Sequence, residues 1–564
     1  MGPSDGSARL KGEKAMPHLT GGEAIIEALR REGVEYVFGI PGIQIMAVYD
    51  AMHGRKDVRP ITVRHEQTAV YMADGYARVK GKPGVALVVP GPGVQNASAA
   101  LGTAYACSSP VLLLAGQVET FNVGKNKGSL HEIDDQLDVV RPVTKWCRRV
   151  MEREQIPSAI QEAMRQTVVG RPRPVYVEIP WDTVAGKSDV EFSTREPISR
   201  LKADREAVRR AAELLASAKK PLIWAGGGVV AADAAKELTS LAERLKAPVA
   251  TTAEGKGAIP ENHPLSLGGA YYGFGAARWA TAGADVILAA GTRLTWQMRP
   301  GTAPRPAQRL IHLDADPGVI GKNFPAEIAI VADAREGLEA VLEEIRGKTV
   351  PPGRWAPQEI EDCRENHRKW LRKEAPLQVE LIGKIRSVLC EEAILVSGIT
   401  NIGYWCNLAY PVFRPRTYLT SSYFATLGYA FPTALGAKVA APEKPVVCVT
   451  GDGGFLYAAG ELATAVQYGI NLVTIVFNDQ AFGSTKSDQQ RNYQGRIVET
   501  DLKNPDFVKL AEAFGVKGIK AGAGDIDRVL AEALDLRQPV VIEVPIPTLV
   551  PPFQLSPTEV NGKA

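Results

Sequence analysis

The chain has 564 residues, too many for one hydrophobic core and enough for about three domains of ordinary size. A net charge of +3 over that length, with no basic block, argues against nucleic acid as a partner, and no uninterrupted apolar segment is long enough to span a bilayer. The six cysteines (Cys107, Cys147, Cys363, Cys390, Cys406, Cys448) form no CxxC pair and no disulfide-like spacing, the pattern of reduced thiols in a cytoplasmic protein.

The opening "MGPSDGSARLKGEKAM" lacks the hydrophobic region of a signal peptide and reads as a disordered or expression-derived lead-in over residues 1–16. From Thr20, "TGGEAIIEALRREGVEYVFGIPG" predicts a helix, a strand and a glycine turn, and similar alternation continues to "RPVYVEIPWD" near residue 181. "PLIWAGGGVV" opens a second set, which runs through "ADVILAAG" and "RLIHLDADP" to about residue 347. The proline and glycine of "TVPPGRWAPQEIED" mark a linker, and a third set begins near Pro376 and ends at "PVVIEVPIP". Strands alternating with helices predict three α/β domains with doubly wound parallel sheets, placed at 17–187, 188–350 and 372–550.

Within the third set, "PVVCVT" from Pro445 has the length and β-branched content of a buried parallel strand and ends on Gly-Asp-Gly-Gly. "FLYAAGELATAVQYG" then carries apolar residues at helical spacing, and "NLVTIVFND" is a second buried strand with polar residues at its carboxyl end. Ligands of open parallel sheets bind beyond the carboxyl ends of the strands, so Asp452 and Asn478 are predicted to project there and to share one. A carboxylate and an amide oxygen suit a hard cation such as Mg2+, and the flanking glycines let backbone amides approach a diphosphate. Taken alone, a GDG turn reads as an ordinary helix cap; the downstream "VFND" is what points to a metal-clipped diphosphate. The stretch 82–117 runs parallel to 444–479, with Pro92 in the place of Asp452, so the first copy is expected to bind a different part of the ligand.

Together, "HEQTAVYMADGYAR" (65–78), "PGPGVQNA" (90–97), "GQV" (116–118), "HLDADPGVIGKN" (312–323), "ATLGYAFPTALGA" (425–437) and the GDG-to-Asn unit resemble the thiamin-diphosphate-dependent enzymes of the acetolactate synthase group. The resemblance covers residues 17 to 550 and implies an aminopyrimidine-binding, a central and a diphosphate-binding domain. It implies that Glu66 hydrogen-bonds the aminopyrimidine and relays a proton, that Leu427 supports the bent cofactor, and that the Ala425 carbonyl receives its amino group. It implies Asp452, Asn478 and the Gln480 carbonyl as Mg2+ ligands, and Asn401, Ile402, Gly451, Gly453, Gly454, Ala481, Phe482 and Gly483 along the cofactor. Gln117 and His131 fall on the cofactor-facing side of the first domain, where His131 is a candidate proton shuttle and reads equally as a surface histidine. The assembly implied is a homodimer or homotetramer whose active sites are shared between subunits.

Three departures qualify that picture. Asp479 stands where many members carry a second Asn. Relatives hold FAD in the central domain, and "WAGGGVVAAD" fits a loose glycine pattern that a tight turn explains equally. Because "AAGTRLTWQMRPG" lacks the flavin-bearing run beyond Arg293, the expectation is a central domain that is empty or holds an ADP-like group rather than FAD. Finally, "NDQAFGSTKSDQQRNYQGR" has no tryptophan of the kind that selects a second 2-oxo acid, while Lys486 and Arg491 read as anion binders or as solvated charges. The expected activity is a lyase or carboligase acting on a 2-oxo acid or related small carbonyl compound. The alternatives are a 2-oxo acid decarboxylase, a ketol or diketone lyase or hydrolase, and, disfavoured, an NAD-dependent dehydrogenase.

Overall fold

The computed structural model describes residues 16–194, 197–295 and 298–555, so the expected lead-in, apart from Met16, lies outside the described residues. Three six-stranded sheets organise the chain, and every strand pair within them is parallel. The first sheet comprises β1 (Tyr36–Gly39), β2 (Arg59–Thr62), β3 (Gly84–Val88), β4 (Val111–Gln117), β5 (Trp146–Arg149) and β6 (Val175–Pro180), in the order β2-β1-β3-β4-β6-β5. The second comprises β7 (Pro221–Ala225), β8 (Val249–Thr251), β9 (Ser266–Gly269), β10 (Val286–Ala290), β11 (Arg309–Asp314) and β12 (Ile328–Val331), ordered β9-β8-β7-β10-β11-β12. The third comprises β13 (Ile394–Ser397), β14 (Tyr418–Leu419), β15 (Val446–Gly451), β16 (Val473–Asn478), β17 (Lys517–Lys520) and β18 (Val540–Pro545), ordered β14-β13-β15-β16-β18-β17. The expected doubly wound architecture is thus present three times, and the first and third sheets share one strand order.

Six helices position the site: α1 (Glu66–Lys80), α2 (Pro92–Cys107), α3 (Asn401–Ala409), α4 (Ala430–Ala440), α5 (Asp452–Leu456) and α6 (Gly483–Asn492). Thr68 to Ala77 of α1 are all buried because the helix is enclosed on both sides, by its own sheet and by α4 of the third unit. The two helices cross at glycines. A Cβ on Gly75 would collide with the Thr433 carbonyl, and one on Gly436 with the Met72 carbonyl, so only glycine permits this approach. Tyr71, Met72, Phe431, Leu435 and Phe455 consequently belong to one apolar core spanning the first and third units.

The segment 349–362, expected as a linker, is anchored. The buried Arg354 donates to the carbonyls of Leu215 (2.9 Å), Ala216 (2.6 Å) and Leu245 (3.1 Å), Trp355 Nε1 donates to Pro221 O (2.8 Å), and a helix follows at Pro357–Glu374. Carbonyls at helix ends need donors, and the guanidinium supplies several at once. All six cysteines are free. No helix among the described residues is long and apolar enough to cross a membrane.

Candidate active site

The β15–α5 turn and the end of β16 do converge. Asp452 opens α5, Asn478 ends β16, and both are buried. Asn504, which sequence reasoning did not single out, bridges them: its Nδ2 donates to Asp452 Oδ2 (2.6 Å) and to Asn478 Oδ1 (3.0 Å). Asn478 is oriented from behind by Glu543 Oε1, which accepts from its Nδ2 at 2.8 Å. The two oxygens therefore point at one place, where a positively polarised N–H group already sits.

Gln480 follows with a left-handed backbone (φ 51°); its N–H donates to Asn478 Oδ1 (3.1 Å), and its carbonyl accepts from Leu502 N (2.7 Å). The Leu502 amide thus occupies one lone pair of the carbonyl expected as third metal ligand and leaves the other. Ala481 is buried and bridges Asp501, Phe482 N donates to Thr500 O, and Gly483 begins α6. Residues 500–504 thus strap the loop from above.

Burial raises the Asp452 carboxyl, against the amides of Gly453 and Ala481 and the Asn504 side chain, which lower it. Burial, with the Asp452 charge adding to it, pushes the Asp479 carboxyl up to about 6, and the Thr548 side chain opposes the shift. A divalent cation would relieve both groups. No cluster of three or more His, Cys, Asp or Glu side chains able to hold a metal occurs among the described residues, so a cation here would rely on amide and carbonyl oxygens beside Asp452. That donor set fits Mg2+.

Gly451, Gly453 and Gly454 frame the opening of α5. Beside them α3 opens at Asn401, whose side chain is turned away, its Nδ2 donating to Leu549 O (2.8 Å); Ile402 is fully buried. Only the backbone amides of this pair are left to meet a diphosphate. Ala425 is exposed and left-handed (φ 52°), a strained conformation for a residue with a Cβ, and Leu427 lies half-buried against the Gly454 turn.

In the first unit Glu66 is the first residue of α1, capped by His65, and its Oε2 accepts from Asn96 Nδ2 of α2 at 3.0 Å. The preceding backbone is held by the third unit: the buried Glu461 carboxylate accepts from Arg64 N (2.9 Å) and His65 N (3.1 Å). Gln117 ends β4 but is internally engaged, its Nε2 donating to Glu178 Oε1 (3.3 Å) and its Oε1 accepting from Val118 N (2.7 Å). Glu178 is also held by Arg149, Gln136 and Tyr176, and Gln136 in turn accepts from the Gly91 amide. His131 has a left-handed backbone (φ 68°), packs its carbonyl against Gly91, and keeps Nδ1 buried without a hydrogen-bond partner. No hydrogen bond or ion pair among the described residues joins Glu66 to Gln117, to His131 or to the Asp452 cluster.

A cavity of about 430 Å3 lies where the three units meet, lined by Arg78, Arg171, Arg200, Arg293 and Arg416 among others. Burial and the neighbouring charges of Arg293 and Arg173 lower the Arg171 guanidinium to about 10. Arg293 donates to Ala106 O (2.8 Å) and lies 4.7 Å from the centre of the Tyr423 ring. The glycines of "WAGGGVV" form a tight turn in which Gly228 N donates to Gly291 O. Trp296 and Gln297 of the neighbouring stretch lie outside the described residues.

Three family profiles match the chain in order: the thiamine pyrophosphate enzyme N-terminal TPP binding domain over residues 19–139, the central domain over 208–341, and the C-terminal TPP binding domain over 398–544. A probable acetolactate synthase large subunit of Methanocaldococcus jannaschii is 36% identical over 94% of this chain and 92% of its own. The acetolactate synthase large subunit of Haemophilus influenzae is 36% identical over 93% and 94%, and a probable 2-ketoarginine decarboxylase of Pseudomonas aeruginosa is 38% identical over 88% of each. With all three domains matched and relatives aligned over most of both chains, the protein belongs to the thiamin-diphosphate-dependent enzymes, in the group that resembles the acetolactate synthase large subunits.

Proposed function

We propose that the enzyme uses thiamin diphosphate and Mg2+ to break the carbon–carbon bond beside the carbonyl of a 2-oxo acid or related compound, and to join the retained fragment to a second carbonyl. The observation that carries this reading is the convergence of Asp452 and Asn478 on the Asn504 amide, at the opening of a glycine-rich helix. When bound, thiamin diphosphate supplies the carbanion chemistry and the electron sink.

The residues of the chain have distinct tasks. Asp452, Asn478 and the Gln480 carbonyl hold the cation, while the amides opening α3 and α5 meet the diphosphate. Glu66, steadied by Asn96, holds and moves a proton at a ring nitrogen of the aminopyrimidine. Leu427 would give the cofactor an apolar support, and Ala425 would offer it a backbone carbonyl. His131 is the residue to carry a proton to or from substrate. Gln117 acts through the Glu178 network that shapes the Gly91 loop, since its own amide is engaged.

Each site takes Glu66 from one subunit and Asp452 from its partner in a homodimer or homotetramer, the arrangement the family resemblance implies. Exposed Ile43, Phe121 and Leu130 on the first unit, and exposed Tyr423 and Tyr457 on the third, supply apolar surface for that contact. The protein works in the cytoplasm, and no flavin is invoked.

A second reading, decarboxylation without coupling, is favoured by one feature: α6 carries Lys486, Ser487 and Asp488 and no tryptophan. The Pseudomonas relative named as a decarboxylase supports it as well. Holoenzyme supplied with 2-oxo acids, alone and with an aldehyde, separates the two: coupled hydroxyketone supports the first reading, and free aldehyde with CO2 the second. Absence of CO2 and of any new carbon–carbon bond across the panel would overturn both.

A further inference from the structure

A second cavity, of about 110 Å3, lies between the second and third units. Ile399 and Ala425 form part of its wall, which places it against the cradle assigned above to the cofactor. Aromatic rings make up much of the remainder. Tyr271 and Tyr272 have ring centres 4.6 Å apart, Tyr272 lies 5.3 Å from Phe553, and Phe553 lies 4.9 Å from Tyr404. Tyr423 adds a fifth ring, and Asn407 and Ser422 bring polar groups.

Among the described residues of the wall, Glu254 alone is charged. It sits on the turn Ala253–Gly255, fixed where Thr252 accepts from Gly255 N at 3.1 Å. The Glu254 carboxylate makes no hydrogen bond and no ion pair among the described residues. Arg78 is near enough for the two charges to interact, but its Nη1 donates to Thr420 O (2.8 Å) and Tyr429 Oη (3.2 Å). Glu254 also borders the larger cavity, whose wall carries Arg78, Arg171, Arg200, Arg293 and Arg416; none of these arginines lines the smaller one.

Ring faces attract cations, and a carboxylate at their edge adds a full opposite charge. An anionic tail would be repelled here, and a purely apolar one would cover Glu254 while giving it no partner, which is costly. We propose that this cavity receives the tail of the substrate and that the tail is a guanidinium or ammonium on a short chain, so that the substrate class is a basic 2-oxo acid. The proposal rests on the reading of the site as one that acts on 2-oxo acids.

The test uses enzyme loaded with thiamin diphosphate and Mg2+ and three probes of similar length: 5-guanidino-2-oxopentanoate, the neutral 2-oxohexanoate and the anionic 2-oxoadipate. CO2 release should show kcat/KM for the guanidino acid at least about tenfold above the neutral one, with the anionic acid lowest. In Glu254→Gln the guanidino-to-neutral ratio should fall towards one, and because both substrates are measured on the same protein, changes in folding or cofactor loading cancel. A wild-type preference for the neutral acid, or an unchanged ratio in the variant, overturns the proposal. If no probe releases CO2, calorimetry with agmatine decides the cation site separately, and the wider panel of 2-oxo acids decides the proposed function. Binding that weakens in Glu254→Gln upholds it, and no binding to the wild type sinks it.

Discussion

The first and third units share one strand order, and both place a Gly-x-Gly turn after the third strand in sequence, yet they prepare that turn for different work. In the third unit α5 opens on Asp452, and Asn478 at the end of the next strand is aimed at the same point through Asn504. In the first unit α2 opens on Pro92, which has no side-chain oxygen, and Gln117 at the end of the next strand is tied to Glu178 and to the Val118 amide. Its nearest comparable carboxylate follows another strand, where Glu66 opens α1 beside Asn96. One scaffold thus offers several strand ends, and a duplicated unit can move its chemistry from one to another while the sheet stays the same.

The strongest way to break this division is to remove the carboxylate that distinguishes the third unit. Asp452→Ala should weaken Mg2+-dependent thiamin diphosphate binding by roughly a hundredfold or more, because the proposed site draws on only two side chains. Calorimetry with and without Mg2+ measures this; unchanged affinity would remove Asp452 from the metal site. Next in size, Glu66→Gln should lower turnover by roughly 10²- to 10⁴-fold while cofactor binding is largely kept. Co-expressed Glu66→Gln and Asp452→Ala chains, purified as mixed dimers, should recover about half of wild-type activity if the sites are shared and independent. No recovery would place both residues of a site in one chain.

A smaller effect is expected at Asn504. Its amide holds the Asp452 and Asn478 oxygens towards one point, so Asn504→Ala should weaken Mg2+ binding by about tenfold, as removal of an orienting partner does. Titration of Mg2+ into protein saturated with thiamin diphosphate checks it, and an unchanged affinity would reduce Asn504 to a loop residue.

Asn504 also marks the limit of what the sequence could reveal. The βαβ unit from Pro445 to Asp479 was legible because buried parallel strands are apolar throughout and glycine turns punctuate them; the three-sheet architecture followed from the same pattern. Asn504 lies in a polar stretch with no periodicity, and long-range pairing of residues 500–502 with 480–482 brings it over the end of β16. Glu461 was equally hidden, since it acts on the backbone of Arg64 and His65 about four hundred positions earlier in the chain. Gln117 ends β4, but no sequence pattern reports that Glu178, 61 residues away, takes up its amide. Gln136 reads as one more polar residue of "HEIDDQ", yet it joins that network to the Gly91 loop. Local periodicity fixes elements; side-chain partners are chosen by contacts between them.

The last prediction asks whether the first unit can be converted, and the expected effect is the smallest. Pro92→Asp restores the carboxylate at the position matching Asp452, on an exposed helix-opening residue where an acidic side chain is well tolerated by the dipole. If one strand-end carboxylate beside glycines were sufficient, the variant should gain a second Mg2+ site. The geometry argues that it will not. Gln117 cannot turn its amide oxygen to the new carboxylate without abandoning the Val118 amide at 2.7 Å. Its Nε2 faces the fully buried Glu178, which already anchors Arg149 and Tyr176 and would lose a donor. Nor does the first unit have a counterpart of the strap over residues 480–482, since its Gly91 loop is covered by the carbonyl of His131 rather than by an amide donor. Calorimetric titration of Mg2+ should therefore give the same stoichiometry per subunit for Pro92→Asp as for the wild type, with little change in melting temperature. A second site of comparable affinity would mean that the two copies differ by one residue at this turn and not, as argued here, by the partners their strand-end amides have acquired.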